Sequence, residues 1–391
     1  LAKELEVMEL FSPTHPVRET DLFAGRSDQM RRIMSAIMQA GQHAIVYGDR
    51  GVGKTSLINT VSGRIYKNAT LTRIFPIQCY DGDDYAAIWE RVFKEHRWLN
   101  GDHAFDDIDD TLTPDSLFDT LKKFGGTQRP VFIFDEFDRI SDEETKIKMA
   151  ETIKLFSDRS DAATIVIVGV GRTIQELLEG HESVNRALKQ IEMPRMSADE
   201  CRDIINARLP RVGMSIDPAY LQTIVWLGRG MPGFVHLLGM NAALAAIRRQ
   251  SLEIGSFDFG HSLQYCLEEV AESTRTAYAN AVRSAQPNNL LQQSLLACAI
   301  ATSDEFGAFT ASSVRTPLSK ILAKERDIPY FSRHLAMFCE PTRGPVLRKE
   351  GSHKNYRYRF IDPMMQSYVI TKGMKDGLLD RVSNASSPNE A

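Results

Sequence analysis

The run Gly48–Ser56, GDRGVGKTS, constrains this chain more than any other part of it. Its first eight residues fit the pattern G-x-x-x-x-G-K-[ST] in full. Gln42 to Tyr47 is a short run with an apolar core that reads as a buried strand, and Ser56 to Val61 reads as the start of a helix. Strand, glycine loop and helix are the context that the pattern needs. The glycines let backbone N–H groups turn inward around an anion, and the following helix offers its positive end to the same charge. Gly48, Asp49, Arg50, Gly51, Val52, Gly53, Lys54, Thr55 and Ser56 are therefore expected to hold the phosphates of ATP or ADP. Lys54 is expected at the β- and γ-phosphates, and Thr55 on a Mg²⁺ ion. A chance glycine-rich turn is the alternative, and the flanking strand and helix count against it.

A second stretch points the same way. Pro130 to Asp138 reads PVFIFDEFD, an apolar strand that ends on two carboxylates. A carboxylate at the end of a buried strand is costly unless a cation neutralises it. Asp135 suits the Mg²⁺ side, and Glu136 suits a base that polarises an attacking water. Two solvated acids opening a loop would look the same in isolation, but following a phosphate loop they read as catalytic. The second carboxylate favours hydrolysis over binding alone.

Further along, Arg73 to Cys79, Thr164 to Val168 and Ile191 to Met193 read as strands, with helices at Met30 to Met38 and Tyr85 to Phe93. Apolar strands alternating with helices predict an α/β fold, a parallel sheet sandwiched by helices. Met30, Met34 and Met38 fall at helical spacing and read as core. Asn100 to Asp119 is strongly acidic and reads as a solvated insertion or a partner surface, one that would repel DNA. After about Ser197 the strand signals fade. Helices are expected at Ala198 to Leu209, Pro218 to Leu227, Gly233 to Arg248, Ser262 to Ala281, Leu290 to Ala301, Val314 to Ala323 and Ile328 to Phe338. Strand-like runs at Val346 to Arg348 and Tyr356 to Ile361 flank the turn EGSHKN. Helices followed by a β-hairpin make a winged-helix pattern.

With 391 residues the chain is long enough for two or three domains. The expected division is a lead-in segment at 1–22, a phosphate-loop α/β domain at 23–196, a helical lid at 197–260, a winged helix at 261–375 and a flexible tail at 376–391. The formal net charge is −4, which excludes a chain that is polybasic throughout. Cys79, Cys201, Cys266, Cys298 and Cys339 have no metal-type spacing and read as reduced thiols of a cytoplasmic protein. His236, His334 and His353 are isolated and read as packing or surface residues. No apolar run is long enough to span a bilayer, so no membrane partner is expected.

The box Phe23 to Arg26 (FAGR), the phosphate loop and FDEFD together resemble the AAA+ and STAND superfamily of P-loop ATPases. The C-terminal pattern is most similar to the origin-recognition and archaeal replication-initiator ATPases. The resemblance implies an AAA+-like sheet, a helical lid, a winged helix and assembly as a homo-oligomer. It also implies a residue after the fourth strand that senses the γ-phosphate. In GVGRT that residue is Thr173 or Arg172, where such ATPases usually carry asparagine. An arginine that reaches a neighbouring subunit's site corresponds to Arg186 in ESVNRALKQ, with an ordinary surface arginine as the equal alternative. Arg229 to Gly233 (RGMPG) resembles the signature of STAND and archaeal switch ATPases, which implies Pro232 near the adenine.

The hairpin region is basic: Arg343, Arg348, Lys349, Lys354, Arg357 and Arg359 face only Glu350. Strand alternation puts Tyr356, Tyr358 and Phe360 on one face and Arg357 and Arg359 on the other. In an acidic chain this is a candidate footprint on the phosphates of duplex DNA. The alternative is a charged face that keeps an edge strand soluble. Two functions are thus in view. One is an ATPase that assembles on DNA, as replication-initiator or transposition-target ATPases do. The other is a STAND-type signalling or antiviral-defence switch that controls an effector protein.

Overall fold

Five apolar stretches become the strands of one sheet: β1 His43–Gly48, β2 Ile74–Gln78, β3 Val131–Asp135, β4 Thr164–Val170 and β5 Leu188–Met193. The computed structural model describes residues 2–13, 16, 22–68, 73–100, 112–122, 129–159, 163–171, 177–178, 184–286, 289–352 and 355–379. By their contacts the residues divide into two units, one of Pro16–Asp49 and Gly53–Met193, the other of Leu1–His15, Arg50–Val52 and Pro194–Ala391. The sheet lies in the first, and helix α1, Ala2–Leu10, in the second.

In the first unit the strand order is β2-β3-β4-β1-β5, and every pair is parallel. The central strands are buried along almost their whole length, as a sheet covered on both faces requires. The covering helices are α2 Ser27–Met38, α3 Lys54–Asn68, α4 Tyr85–Asn100, α5 Pro114–Lys122 and α6 Glu143–Asp158. Trp89 on α4 is fully buried and packs edge-on against Phe132 and Phe134 of β3, with ring centroids 5.2 Å apart in both pairs. Pro76 sits in β2, an edge strand, where its missing N–H leaves no gap in the ladder. The opposite edge is blunted by side chains: Arg32 donates to Gln190 O, Gln42 to Ala187 O and Lys189 to Ser35 Oγ.

The acidic stretch departs from its expected form. Leu117, Phe118 and Leu121 are buried on one side of α5, while Asp115 and Asp119 are exposed on the other. Apolar residues at helical spacing decided that segment despite its charge. The remaining acids at 101–111 lie outside the described residues. The methionines of α2 also divide: Met30 is buried, Met34 is half-buried and Met38 is exposed. A spacing of four residues drifts about 40° per step around a helix, so the third residue has left the buried face.

The second unit is helical apart from two small sheets, the first of which pairs β6 Ser215–Ile216 with β7 Glu253–Ile254. Helix Ala198–Asn206 opens on a capping box, with Ser197 accepting from Glu200 N and Glu200 accepting from Ser197 N. Helices Pro218–Gly228, Pro232–Arg248, Ser256–Glu269 and Glu272–Val282 follow. The last two were expected as one helix, but Val270 and Ala271 are extended between them. Helix α1 packs on Pro232–Arg248. Its end is pinned by the buried Arg208, which donates to Leu10 O (2.8 Å) and Ile204 O (2.9 Å). Leu291–Ile300, β8 Phe309–Thr310, Ala311–Ile321, Ile328–Met337, β9 Leu347–Glu350, β10 Arg357–Phe360 and Pro363–Lys375 complete the chain's described part, with antiparallel order β8-β10-β9. Four of the five cysteines are buried and the fifth, Cys339, is partly so; all are free thiols. No described helix is long and apolar enough to cross a membrane.

One buried histidine gives the sheet a pH dependence. His43 opens β1, and its Nδ1 accepts the N–H of Ile165 in β4 at 2.9 Å. Burial, aided by Arg129, lowers its pKa from 6.5 to about 4. A depressed value means that the unfolded chain takes up the proton first. Stability is therefore full above pH 6.5 and is lost as pH falls toward 4, by up to ~3 kcal/mol. Urea unfolding at pH 7 and pH 4.5 should show this loss, and His43→Gln should reduce the difference between the two.

Candidate nucleotide site

The loop after β1 is shaped by close contacts. A Cβ on Gly48 would lie 2.5 Å from the carbonyl oxygen of Met193, the last residue of the neighbouring β5, so only glycine fits there. Gly51 and Gly53 have φ of 82° and 96°, which favour glycine for a different reason. Lys54 then begins α3. Its Nζ donates to the carbonyls of Gly48 and Asp49 at 2.9 Å each, so the ammonium is held across the loop it follows. Lys54 is buried, and burial lowers its pKa to about 8, against the raising effect of Asp138, Asp135, Asp49 and Glu136.

Thr55, in the first turn of α3, donates its hydroxyl to Asp135 Oδ2 at 2.8 Å. The other carboxylate oxygen of Asp135 accepts the N–H of Glu136 at 2.8 Å. Both oxygens of this carboxylate are thus fixed from the protein side. Glu136 has φ 54° and ψ 37°, a left-handed conformation that costs a non-glycine residue ~1–2 kcal/mol. Its carboxylate pairs with Arg139 Nε at 2.6 Å and is partly exposed. Asp138 plays a part that the sequence did not reveal. Its Oδ1 accepts the N–H of Val170 at 2.7 Å, joining the turn after β3 to the end of β4. Gly169 is packed so closely there that a Cβ would lie 3.1 Å from Asp138 Oδ1 and 2.6 Å from Leu177 Cδ2. The final aspartate of FDEFD was the available signal.

The loop residues, Asp135 and Glu136 are therefore brought to one end of the sheet. Arg186 is exposed on the short helix Val184–Ala187, with no bonded partner among the described residues. Thr173 and Arg172 lie outside the described residues. Pro232 is the first residue of its helix in the other unit, after Arg229 and Gly230, which both have positive φ. Among the described residues no cluster of histidine, cysteine and acid side chains is gathered to hold a metal ion.

The basic hairpin is less uniform than its sequence. Arg348 and Lys349 are exposed, and Lys349 Nζ lies 3.5 Å from the centroid of the Tyr356 ring. Arg357 is exposed but pairs with Asp304 at 2.6 Å. Arg359 is buried, so strict alternation does not carry it to solvent. Arg343 donates Nη1 to Ala281 O and Arg283 O at 3.0 and 2.9 Å. Lys354 lies outside the described residues. The charged face is thus narrower than the sequence implies.

The chain is similar to several known proteins. Residues 22–167 match the family described as the AAA ATPase domain. No curated protein matches the chain in sequence. Among solved structures, a Walker-type ATPase of Pyrococcus abyssi superposes with a TM-score of 0.51 at 15% identity, over 92% of this chain and 99% of that one. Cdc6p from Pyrobaculum aerophilum gives 0.49 at 17% identity, over 95% and 98% of the two chains. The Aeropyrum pernix Orc1 protein, solved in complex with DNA, gives 0.47 at 15% identity, over 91% and 94%. The family match spans the phosphate loop and both strand-end carboxylates, and the chain is an ATPase.

Proposed function

We propose that the chain is an ATP-hydrolysing molecular switch that assembles as a homo-oligomer on duplex DNA through a C-terminal winged helix. The observation that carries the ATPase mechanism is the 2.8 Å bond from Thr55 to Asp135, with Glu136 next in the chain. It puts a hydroxyl, a carboxylate and a second carboxylate together beside the loop that ends on Lys54. Thr55 and Asp135 are hard oxygen donors in contact, which fits Mg²⁺. The ion, when bound, would draw negative charge from the β- and γ-phosphate oxygens. Lys54 exchanges its bonds to the loop carbonyls for phosphate oxygens, and the loop N–H groups hold the rest of the phosphate chain. Glu136 accepts the proton of a water as its oxygen bonds to the γ-phosphorus. The bond from that phosphorus to the bridging oxygen breaks, and ADP leaves. Arg139 holds the Glu136 carboxylate in position. Thr173 as γ-phosphate sensor and Pro232 against the adenine are carried over from the AAA+ and STAND resemblance.

Exposed Arg186 is available to a neighbouring copy, which supports assembly. The helices Leu291–Ile300, Ala311–Ile321 and Ile328–Met337 and the three short strands follow the order of a winged helix. Arg348, Lys349 and Arg357 are its candidates for phosphate contact, while Arg343 and Arg359 serve the domain's own structure. A second reading, the STAND-type switch acting on an effector protein, is favoured by that same narrowing of the basic face and by RGMPG.

Three outcomes are expected. Glu136→Gln should bind ATP yet hydrolyse it at least ~100-fold more slowly in a steady-state assay; unchanged turnover would place the base elsewhere. With this variant, ATP should raise affinity for a labelled duplex across a salt series. Changing Arg348 and Lys349 to Ala should then reduce the logarithmic salt slope by about 2, and absence of duplex binding at low salt would favour the effector reading. Lys54 supplies a pH signature. Phosphate beside it restores a high pKa, so above pH ~8 binding takes up a proton, and ATP affinity should fall by up to about tenfold per pH unit. Titration calorimetry at pH 8.5 in buffers of different ionisation enthalpy should detect that proton.

A further inference from the structure

The C-terminal half holds a recess of about 640 Å³ that the ATPase reading does not use. Its walls come from the end of helix Glu272–Val282 and the chain after it, from helix Ile328–Met337 and from the turn Pro341–Arg343. Arg283, Arg333 and Arg343 line it with His334, Asn280 and Asn289, and no carboxylate lines it among the described residues. That is unusual in a chain with 51 acidic against 47 basic residues. The guanidinium groups of Arg283 and Arg333 have no bonded partner among the described residues. Arg343 spends only Nη1, on two carbonyls that end the helix Glu272–Val282, which fixes the guanidinium at the recess. His334 Nδ1 is engaged with Ser294 Oγ at 2.7 Å. Its pKa is lowered first by burial and then by Arg333 and Arg343, so the positive potential of the arginines reaches the recess wall.

Three guanidinium groups in a concave site with no carboxylate among its described lining repel one another and focus a positive potential. Their planar forks match phosphate oxygens, and the amide of Asn280 adds a neutral donor. A recess of this volume suits a small molecule, for which ~300–1,000 Å³ is the common range, better than the convex face of a duplex. We propose that this recess is a second anion site, which takes a small ligand bearing at least two phosphate groups. The proposal does not rest on the DNA reading.

The test uses the full chain with Lys54→Ala, which weakens the phosphate loop, and inorganic pyrophosphate as probe at constant ionic strength. Titration calorimetry should show saturable binding that Arg283→Ala with Arg333→Ala weakens at least tenfold. Both arginines are exposed, and thermal unfolding checks that the variant folds. No saturable binding, or an unchanged Kd in the arginine variant, overturns the proposal. A further arm titrates a short DNA duplex. Loss of duplex binding in the arginine variant, with no saturable pyrophosphate binding, would overturn the small-ligand site and give the recess to DNA.

Discussion

The hydrogen bond from Thr55 to Asp135 closes a gap that the sheet itself opens. β4 lies between β1 and β3, so the loop after β1 and the carboxylate ending β3 are two strand spacings apart, about 10 Å. α3 starts at the loop and leans its first turn across that gap, and the 2.8 Å bond is where it reaches the other side. Other contacts hold the same end of the sheet. Gly48 is pressed against Met193 on one flank, and Asp138 is fastened to Val170 on the other. The turn after β3 must then reverse within one residue, and Glu136 takes the left-handed conformation that this requires.

Much of this was legible because phosphate chemistry demands particular residues at fixed offsets. Glycines, a lysine and a threonine in series state the loop, and an apolar run ending on two acids states the strand. Segments whose form depends on partners far along the chain were harder to read. Helix α1 has no strong pattern of its own; it is held by Arg208 and packs on Pro232–Arg248, about two hundred residues away. α5 was hidden by its acids because charge says which face is wet, and only the spacing of Leu117, Phe118 and Leu121 says that the other face is buried. His43 gave no signal, since the partner of its ring is a backbone N–H on a strand 122 residues later.

The segment that leaves β5 shows a further constraint within the second unit. Arg195 N donates to Glu305 O, and Met196 N donates to Gly230 O, in the turn before Pro232. The Arg195 side chain bonds to Gln366, which in turn donates to Ala299 O. Gly230 and Gly307 have no room for a Cβ beside Arg195, whose atoms would lie within 2.7 Å of each. Helix Pro363–Lys375 also packs on Pro218–Gly228 and Ser256–Glu269. The turn carrying RGMPG and the C-terminal elements are therefore fastened to two adjacent residues, Arg195 and Met196. Any change of angle at the RGMPG turn would be felt at Gln366 and Ala299 through bonds that are already made, with no new contact required.

Arginine is where a linear reading of charge fails most clearly. Along the sequence, Arg343, Arg348, Arg357 and Arg359 are equivalent positive charges around one hairpin. In the fold one ends a helix, one is open to solvent, one is paired with Asp304 and one is buried in a central strand. A guanidinium has five donors and a long apolar stem, so it can be consumed by backbone carbonyls or by packing while still counting as a charge. Arg283 and Arg333 stand outside that basic run, separated by fifty residues of chain, yet they meet at one recess with no carboxylate among its described lining. Which positive charges remain available to an anion is therefore set by the contacts of the folded chain, and in this fold those contacts shift the free charge from the hairpin toward the recess.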